Sequence, residues 1–154
     1  MAEGACEVWF YHLERSGADE VLPELLDKTL ARGWRALVVS GAPGRLAEIS
    51  ERLWGWRPES FLAHGRADEP EAARQPILLA EEPAENLNGA QALLLVDGAT
   101  APALDGYVRC LDLFDGRDPQ AVQAARGRWK AARAQGAVTS YWRQTERGGW
   151  EKQA

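Results

Sequence analysis

A group of cations around one tryptophan, late in the chain, is the part of the sequence best suited to chemistry, and that chemistry is binding. Arg126, Trp129, Lys130 and Arg133 follow the i, i+3, i+4, i+7 spacing of one helical face. Guanidinium and ammonium groups attract carboxylates, and an indole offers a flat apolar surface. The face therefore suits a ligand that is both hydrophobic and anionic.

Two interpretations of this face remain open from the sequence. In the first, which is the more frequent fate of such a pattern, Trp129 anchors the helix in the core and the cations form a solvated rim. In the second, the cations surround a binding pocket. Charge distribution favours the second, because residues 109–154 hold nine Lys and Arg against five Asp and Glu, whereas residues 1–108 hold nine against eighteen. A chain with a net charge of −5 that collects its positive charge in its last third is expected to use it.

The element that carries these residues is a predicted helix over about residues 119–135. Asp118 is a good N-cap, Pro119 suits the first turn because its missing N–H has no helical partner there, and Gly136 is a suitable stop. A thin apolar stripe on this helix is suited to docking on a sheet. Its members are Val122, Ala125, Trp129 and Ala132.

A second group of aromatic residues lies in the middle of the chain. The stretch from Trp54 to Gly65 holds two tryptophans and a phenylalanine within eight residues, more than a short connection needs for its own packing. Such a cluster is usually core at a helix-to-strand corner, and we expect Trp54 to point inward with the apolar face of its helix. An apolar contact surface is the alternative.

A glycine-containing turn, Gly41-Ala42-Pro43-Gly44, follows the second predicted strand, where a phosphate binds in nucleotide enzymes. No Lys-Ser or Lys-Thr follows the last glycine and the G-x-G-x-x-G spacing is missing, so turn geometry is the favoured role. Asp97 ends another apolar strand, but no second acid stands beside it to hold a metal. We therefore expect no catalytic residue, no metal site and no cofactor, and a Rossmann-like nucleotide-binding enzyme stays as an alternative.

The composition fits a cytoplasmic globular protein, with 45% hydrophobic and 27% charged residues. No apolar run reaches the roughly 18 residues of a membrane span, and the first residues do not form a signal peptide, so no membrane contact is expected. Cys6 and Cys110 lack any C-x-x-C neighbour, which indicates two reduced thiols. His12 has no second ligand at a suitable spacing, so its expected role is structural.

The remaining patterns predict a single α/β domain over residues 1–154, with three layers and a largely parallel central sheet that carries helices on both faces. Residues 70–75 are expected to form a mobile surface loop. The sequence does not choose between a closing turn and a frayed end for residues 143–154. Strands are predicted at 7–13, 35–40, 77–80, 92–96 and 108–114, and the two earlier helices at 19–33 and 44–54.

An ordered set of short fragments runs from about residue 8 to residue 152. The set contains Phe10-Tyr11, Arg32-Gly33-Trp34-Arg35, Leu53-Trp54, Phe61-Leu62-Ala63-His64-Gly65, Gln75-Pro76-Ile77-Leu78-Leu79, Asn88-Gly89-Ala90, Arg128-Trp129-Lys130, Gly136 and Tyr141-Trp142. In order and spacing the set resembles the chi subunit of bacterial DNA polymerase III. Each fragment is weak alone, but the ordered set is specific.

The resemblance implies a non-catalytic accessory protein of the clamp loader, working within the DNA polymerase (nucleotidyltransferase) complex of DNA replication. In that family, a basic pocket containing an aromatic residue binds the acidic, phenylalanine-ending C-terminal tail of the single-stranded-DNA-binding protein. The family often has an aromatic residue where this chain has Ala132. Carried across by position, the tail site consists of Arg126, Trp129, Lys130, Arg133 and Tyr141.

Another surface of this family holds the psi subunit, and an accessory helicase could compete for it. The candidates carried across for this second surface are Trp54, Phe61 and His64, beside Ala63, where a proline is common in the family. Contact with DNA is then expected to be indirect. The alternative is a direct single-stranded nucleic-acid-binding module that uses the same cations with stacking on Trp129 and Trp142, although a net charge of −5 argues against strong unaided DNA binding.

Overall fold

One eight-stranded sheet with helices on both faces organises the residues that this computed structural model describes, which are 6–57, 61–101 and 103–154. The strands are β1 (Glu7–Leu13), β2 (Ala36–Ser40), β3 (His64–Arg66), β4 (Ile77–Glu81), β5 (Ala92–Val96), β6 (Arg109–Asp115), β7 (Val138–Gln144) and β8 (Trp150–Lys152). The helices are α1 (Ala18–Ala31), α2 (Leu46–Trp54) and α3 (Pro119–Ala134), and a 3-10 turn covers Ala72–Arg74.

The sheet is parallel except at one edge. The strand order is β3-β4-β2-β5-β6-β1-β7-β8, in which only β8 runs antiparallel to its neighbour. The apolar side chains of α1 and α2 pack on one face of the sheet, and those of α3 pack on the other. The predicted three-layer α/β architecture is confirmed.

The central strands are buried on both faces, which explains their continuous apolar sequences. All five residues of β2 and all five of β5 are buried because helices or connecting segments cover the sheet on both sides. On α1 the leucine stripe points into this core, with Leu22, Leu25 and Leu26 buried. Pro23 lies inside α1 and is buried, so the Asp19 carbonyl four residues earlier receives no helical N–H from it.

The last helix has the signals that its sequence predicts. The Asp118 carboxylate accepts a hydrogen bond of 3.0 Å from the Gln120 backbone N–H, which satisfies one of the free donors of the first turn. Just past the other end, Gly136 has a φ of +85°, a conformation that favours glycine. Ala125 and Ala132 are buried, and Val122 and Trp129 pack against the same core, so the predicted apolar stripe is confirmed.

Three strands were not predicted from the sequence, namely β3, β7 and β8. The strands β3 and β8 have three residues each, too few to give the alternating apolar and polar pattern of a strand. The expected surface loop at residues 70–75 contains the 3-10 turn. Residues 143–154 form the end of β7, a turn in which the Thr145 N–H donates to the Gly149 carbonyl at 2.8 Å, and the strand β8, which agrees with the closing-turn alternative. The predicted bounds of the other elements differ from those of the structure by one or two residues, as is usual at element ends.

Candidate functional site

The indole of Trp129 lies half-buried between α3 and the sheet. Its ring centroid is 5.3 Å from that of Phe10 on β1 and 6.1 Å from that of Tyr141 on β7. Part of the side chain therefore anchors α3 to the core while part stays accessible. The first interpretation is confirmed in that Trp129 anchors α3, and the second, a binding pocket, stays a prediction that the partial exposure of the ring allows.

Three cations, Arg126, Lys130 and Arg133, lie on the same helical face of α3 as this half-buried ring. All three are exposed, and α3 contains no Asp or Glu to neutralise them. Among the four cations of α3, only Arg128 forms an ion pair within the described part of the chain. We call Arg126, Trp129, Lys130 and Arg133 the cationic face.

The opposite flank of α3 is held by a buried ion pair. Arg128 donates to both carboxylate oxygens of Asp112 on β6, at 2.6 and 3.0 Å. The Asp112 side chain is only 2% exposed, and this burial raises the pKa of its carboxyl group against the opposing effect of Arg128. The pair fixes how α3 sits on the sheet and so where the cationic face points. No local spacing rule reveals this pair in the sequence, because its partners are 16 positions apart.

Tyr141 lies beside the cationic face and is held in place by a polar network. Its hydroxyl shares a hydrogen bond with Nδ1 of His12. The other ring nitrogen of His12 lies 3.2 Å from the Glu14 carboxylate, which accepts a 3.0 Å hydrogen bond from Arg143. Burial raises the pKa of Tyr141, and the positive charges of Arg126 and Arg143 act in the opposite direction. The structural role expected for His12 is therefore to position Tyr141 next to Trp129.

A close backbone approach fixes the imidazole of His12. A Cβ atom on Gly116 would lie 1.9 Å from Cδ2 of His12, so only glycine fits beside this ring. Burial and the nearby Arg143 lower the pKa of His12, whereas Glu14 raises it. The imidazole is therefore favoured in its neutral form.

The second aromatic group is exposed. Trp54 is 53% exposed and Phe61 is 73% exposed, and the Trp54 ring centroid lies 5.3 Å from that of Phe61 and 4.4 Å from that of His64. His64 is fixed by hydrogen bonds of 2.8 Å to the Ser50 hydroxyl and to the Leu62 carbonyl. The structure thus brings the three second-surface candidates together, and we call them the aromatic patch. Pro58, Glu59 and Ser60, in the same stretch, lie outside the described residues.

The expectation that Trp54 points inward is wrong. The buried residues of α2 are Leu46, Ile49 and Leu53, which follow helical spacing. Trp54 comes directly after Leu53, and one residue along a helix turns the side chain by about 100°. The short stripe of α2 is complete without it, so the indole lies on the surface.

The two groups occupy distant parts of the sheet. The cationic face covers β1 and β7 through the contacts of Trp129, whereas His64 lies on β3 at the other edge. Six strand-to-strand steps separate β3 from β7, which corresponds to about 29 Å at the usual strand spacing. Each group can therefore contact a different partner at the same time.

The Gly41–Gly44 turn does not have the properties of a phosphate site. The Gly44 N–H donates to the Glu81 carboxylate at 2.8 Å, and the Ala42 N–H donates to the Ser40 hydroxyl at 3.2 Å. A carboxylate beside the turn would repel a phosphate. Asp97 is likewise occupied, because it accepts from the Ser40 hydroxyl at 2.7 Å and from Arg45 Nε at 3.2 Å. The nucleotide-enzyme alternative has no support from these contacts.

The alternative function, a nucleic-acid-binding surface that contains both Trp129 and Trp142, is not supported either, because the two indoles do not lie on one surface. Tyr141 and Trp129 pack against the core on the α3 face of the sheet, and Trp142 packs against the core on the α1 face. Successive residues of a strand point to opposite faces, so β7 sends Tyr141 and Trp142 in opposite directions. One strand of nucleic acid does not stack on both indoles from the same side.

Two further expectations concern the cysteines and the membrane. Cys6 and Cys110 are buried free thiols, and burial raises the pKa of Cys6 to about 11. Within the described ranges, none of the helices combines the length and the apolar character that a bilayer crossing requires.

Comparisons with known proteins agree with the resemblance read from the fragments. Residues 6–140 match the family model described as DNA polymerase III chi subunit, HolC. A curated protein of Rickettsia prowazekii (strain Madrid E), named probable DNA polymerase III subunit chi, is 22% identical over 86 residues, which are 56% of this chain and 52% of that protein. The alignment thus spans about half the length of the curated relative. Because the family model covers most of the chain, this protein belongs to the family of the DNA polymerase III chi subunit.

Proposed function

We propose that this protein is a non-catalytic subunit associated with the clamp loader of the replicative DNA polymerase in the cytoplasm. In this proposal, it binds the acidic, phenylalanine-ending C-terminal tail of the single-stranded-DNA-binding protein on the cationic face. Family membership supports a role in the polymerase III complex. The observation that carries the tail assignment is the set of three exposed cations on the same helical face as a half-buried indole, on a helix without carboxylates.

The chemistry of the tail matches that of the cationic face. The terminal and side-chain carboxylates of the tail would accept hydrogen bonds from Arg126 and Arg133, ideally in bidentate geometry. The terminal phenyl ring would lie against Trp129, whose position is set by Phe10 and Tyr141. Several such contacts should give a micromolar complex, on the order of −8 kcal/mol. Multiple tails on one nucleoprotein filament would raise the effective affinity without new contacts.

Calorimetric titration with an acidic peptide ending in phenylalanine tests the tail assignment. Arg126→Ala and Arg133→Ala should each weaken binding about tenfold, because each removes a charge-assisted hydrogen bond. Arg74→Ala is a matched control, since Arg74 is an exposed arginine near β4, far from α3 along the sheet. It should leave the affinity unchanged.

A second peptide without its terminal phenylalanine separates the charge contribution from the ring contribution. We expect this peptide to bind the wild-type protein at least tenfold more weakly, because it loses the contact with Trp129. Equal affinity of the two peptides, or equal affinity of the wild type and Arg126→Ala, would remove the tail site from α3.

We further propose that the aromatic patch binds the psi subunit. Trp54 and Phe61 are among the large apolar side chains most exposed to solvent, and their rings lie within 5.3 Å of each other. Adjacent exposed aromatic rings are typical anchors of protein interfaces. With the tail on α3 and psi near β3, the protein would link the single-stranded-DNA-binding protein to the clamp loader.

Co-purification with psi tests this second surface. Trp54→Ala combined with Phe61→Ala should abolish co-purification of psi while leaving tail-peptide affinity unchanged. Trp129→Ala should show the reverse pattern. If an accessory helicase is captured by the same patch, it should compete with psi, and psi binding that survives the double substitution would contradict the assignment.

A further inference from the structure

A third surface, which the proposed functions do not use, lies on the sheet face opposite α3. Four of the seven tryptophans of the chain line one groove there, which has a volume of about 270 Å³. They are Trp9 on β1, Trp34 before β2, Trp142 on β7 and Trp150 on β8, and all four are half-buried. We call this the tryptophan groove.

Cations and indoles alternate along this groove. The Arg32 guanidinium lies 4.6 Å from the Trp34 ring centroid, and Arg109 lies 5.2 Å from the same ring. The Arg109 guanidinium also lies 4.2 Å from the Trp9 ring centroid. The Trp9 ring in turn lies 5.4 Å from that of Trp142, with 30° between the two planes. These flat side chains therefore form a row along the groove, and Arg32, at one end of the row, is exposed to solvent.

All the charged residues that line the groove are cations, namely Lys28, Arg32 and Arg109. No carboxylate lines it, although the chain as a whole has a net charge of −5. The Arg109 side chain is only 15% exposed, and its Nε has no hydrogen-bond acceptor within the described residues. Its one ion-pair partner is Glu7, at 3.4 Å from Nη2. The groove thus combines a positive lining with a buried donor that lacks an acceptor.

We propose that the tryptophan groove binds single-stranded nucleic acid, with bases stacked on the indole and guanidinium planes and phosphates next to Lys28 and Arg32. Single-stranded nucleic acid supplies both flat rings and regularly spaced anions, and this is the combination that the groove complements. A proline-rich or aromatic peptide would use the rings alone. It would leave Arg32 without an anionic partner, whereas Lys28 and Arg109 already have Glu24 at 3.6 Å and Glu7 at 3.4 Å. The groove would contact nucleic acid directly, in addition to the indirect contact with DNA that the sequence leads us to expect.

The binding should be weak and should depend strongly on salt. The groove offers only three cations on a protein of net negative charge, so each phosphate contact is a large share of the electrostatic attraction. A contact of this kind would act on a strand that another protein has already brought close.

Fluorescence anisotropy of a labelled single-stranded oligothymidine tests the proposal at low salt, with a strand of about 20 nucleotides so that it exceeds one binding site. The intact protein should bind this probe, and Arg32→Ala should weaken binding about tenfold because a stacking plane and a phosphate contact are lost together. Arg32 is exposed and lies just past the end of α1, so its removal should leave the fold intact. Circular dichroism checks this.

Two further variants separate stacking from charge and one surface from another. Trp150→Phe should keep most of the affinity because a ring remains, whereas Trp150→Ala should lose about tenfold. Arg126→Ala should bind the probe as the wild type does, because it lies on the opposite face of the sheet. The proposal is overturned if the intact protein does not bind the probe at low salt. It is also overturned if Arg32→Ala binds as well as the wild type, if only Arg126→Ala loses binding, or if a proline-rich peptide occupies the groove instead.

Discussion

The cationic face and the aromatic patch both present a tryptophan, but they hold it in different ways. Trp129 is half-buried and packs against Phe10 and Tyr141, and three exposed cations share its helical face. Trp54 is 53% exposed and has only Phe61 and His64 as aromatic neighbours within the described residues. In the proposed function, the first arrangement selects a partner by charge and holds its ring against a fixed surface. The second offers apolar area that any partner of suitable shape can cover.

The difference predicts that the two surfaces can be disabled separately. They lie on different helices, and six strand-to-strand steps of the sheet separate β3 from β7. Mutations so far apart, with no shared partners, are expected to act additively.

The largest effect is expected from breaking the ion pair that orients α3. Arg128→Ala leaves the Asp112 carboxylate buried without its partner, which should lower the free energy of unfolding by about 3–5 kcal/mol. Arg133→Ala, on the same helix but exposed, should change it by less than about 0.5 kcal/mol. Urea denaturation measures both values. Equal stabilities of the two variants would mean that the pair does not anchor the cationic face.

The next largest effect is expected for tryptophan-to-alanine substitutions, compared between the cationic face and the aromatic patch. Trp129→Ala removes a half-buried ring that packs on Phe10 and should cost about 2 kcal/mol of unfolding free energy. Trp54→Ala removes a side chain that is mostly exposed and should cost about 0.5 kcal/mol or less. Thermal unfolding of both variants gives the comparison. A larger loss at Trp54 would show that the aromatic patch is part of the core.

A smaller effect separates the two surfaces by their dependence on salt. Raising the salt from low to physiological ionic strength should weaken tail-peptide binding by about fivefold, because the cations of α3 are exposed and therefore screened. Binding of psi to the aromatic patch should change much less, because its contact residues are uncharged aromatic rings. Titrations of both partners at two salt concentrations measure this difference. A tail isotherm that does not respond to salt would indicate an apolar site elsewhere.

The smallest effect concerns His12, which supports Tyr141. Because the pKa of His12 in the folded protein lies below its ordinary value of 6.5, the unfolded chain binds a proton more readily than the folded one. The stability that depends on neutral His12 is therefore complete above pH 6.5 and is lost as the pH falls below that value. Glu14 and Asp115, whose pKa values are also lowered, lose their contributions only near and below their own ordinary values.

Denaturation at a series of pH values checks the His12 prediction. The wild type should lose stability between about pH 7 and pH 5. His12→Gln should lose less across the same interval, because glutamine does not titrate. Parallel curves for the two proteins would assign the pH dependence to other groups.

The sequence was most informative where local chemistry decides the structure. Asp118, Pro119 and Gly136 mark the ends of α3 through their own backbone preferences, and the apolar runs of β2 and β5 identify buried strands without knowledge of their neighbours. The strand β7 is different, because its residues alternate between two partly covered faces. Only its pairing with β1 and β8 identifies it as a strand.

The same limit applies to the candidate site. Helical spacing placed Arg126, Trp129, Lys130 and Arg133 on one face, because their relation is local. The roles of Asp112 and His12 depend on contacts across the sheet, with Arg128 on α3 and Tyr141 on β7, which no spacing rule contains. The direction of Trp54 was predicted wrongly because helical periodicity does not show where a short stripe ends.

The indole N–H signals of the seven tryptophans test the central claim most directly, since they report on three separate surfaces of one protein. In a two-dimensional nitrogen–proton spectrum, each signal can be assigned by substituting its tryptophan with phenylalanine. Addition of an acidic peptide that ends in phenylalanine should shift the Trp129 signal and leave those of Trp54 and the tryptophan groove in place. An unmoved Trp129 signal together with a shift at Trp54 or in the groove would contradict a tail site on α3.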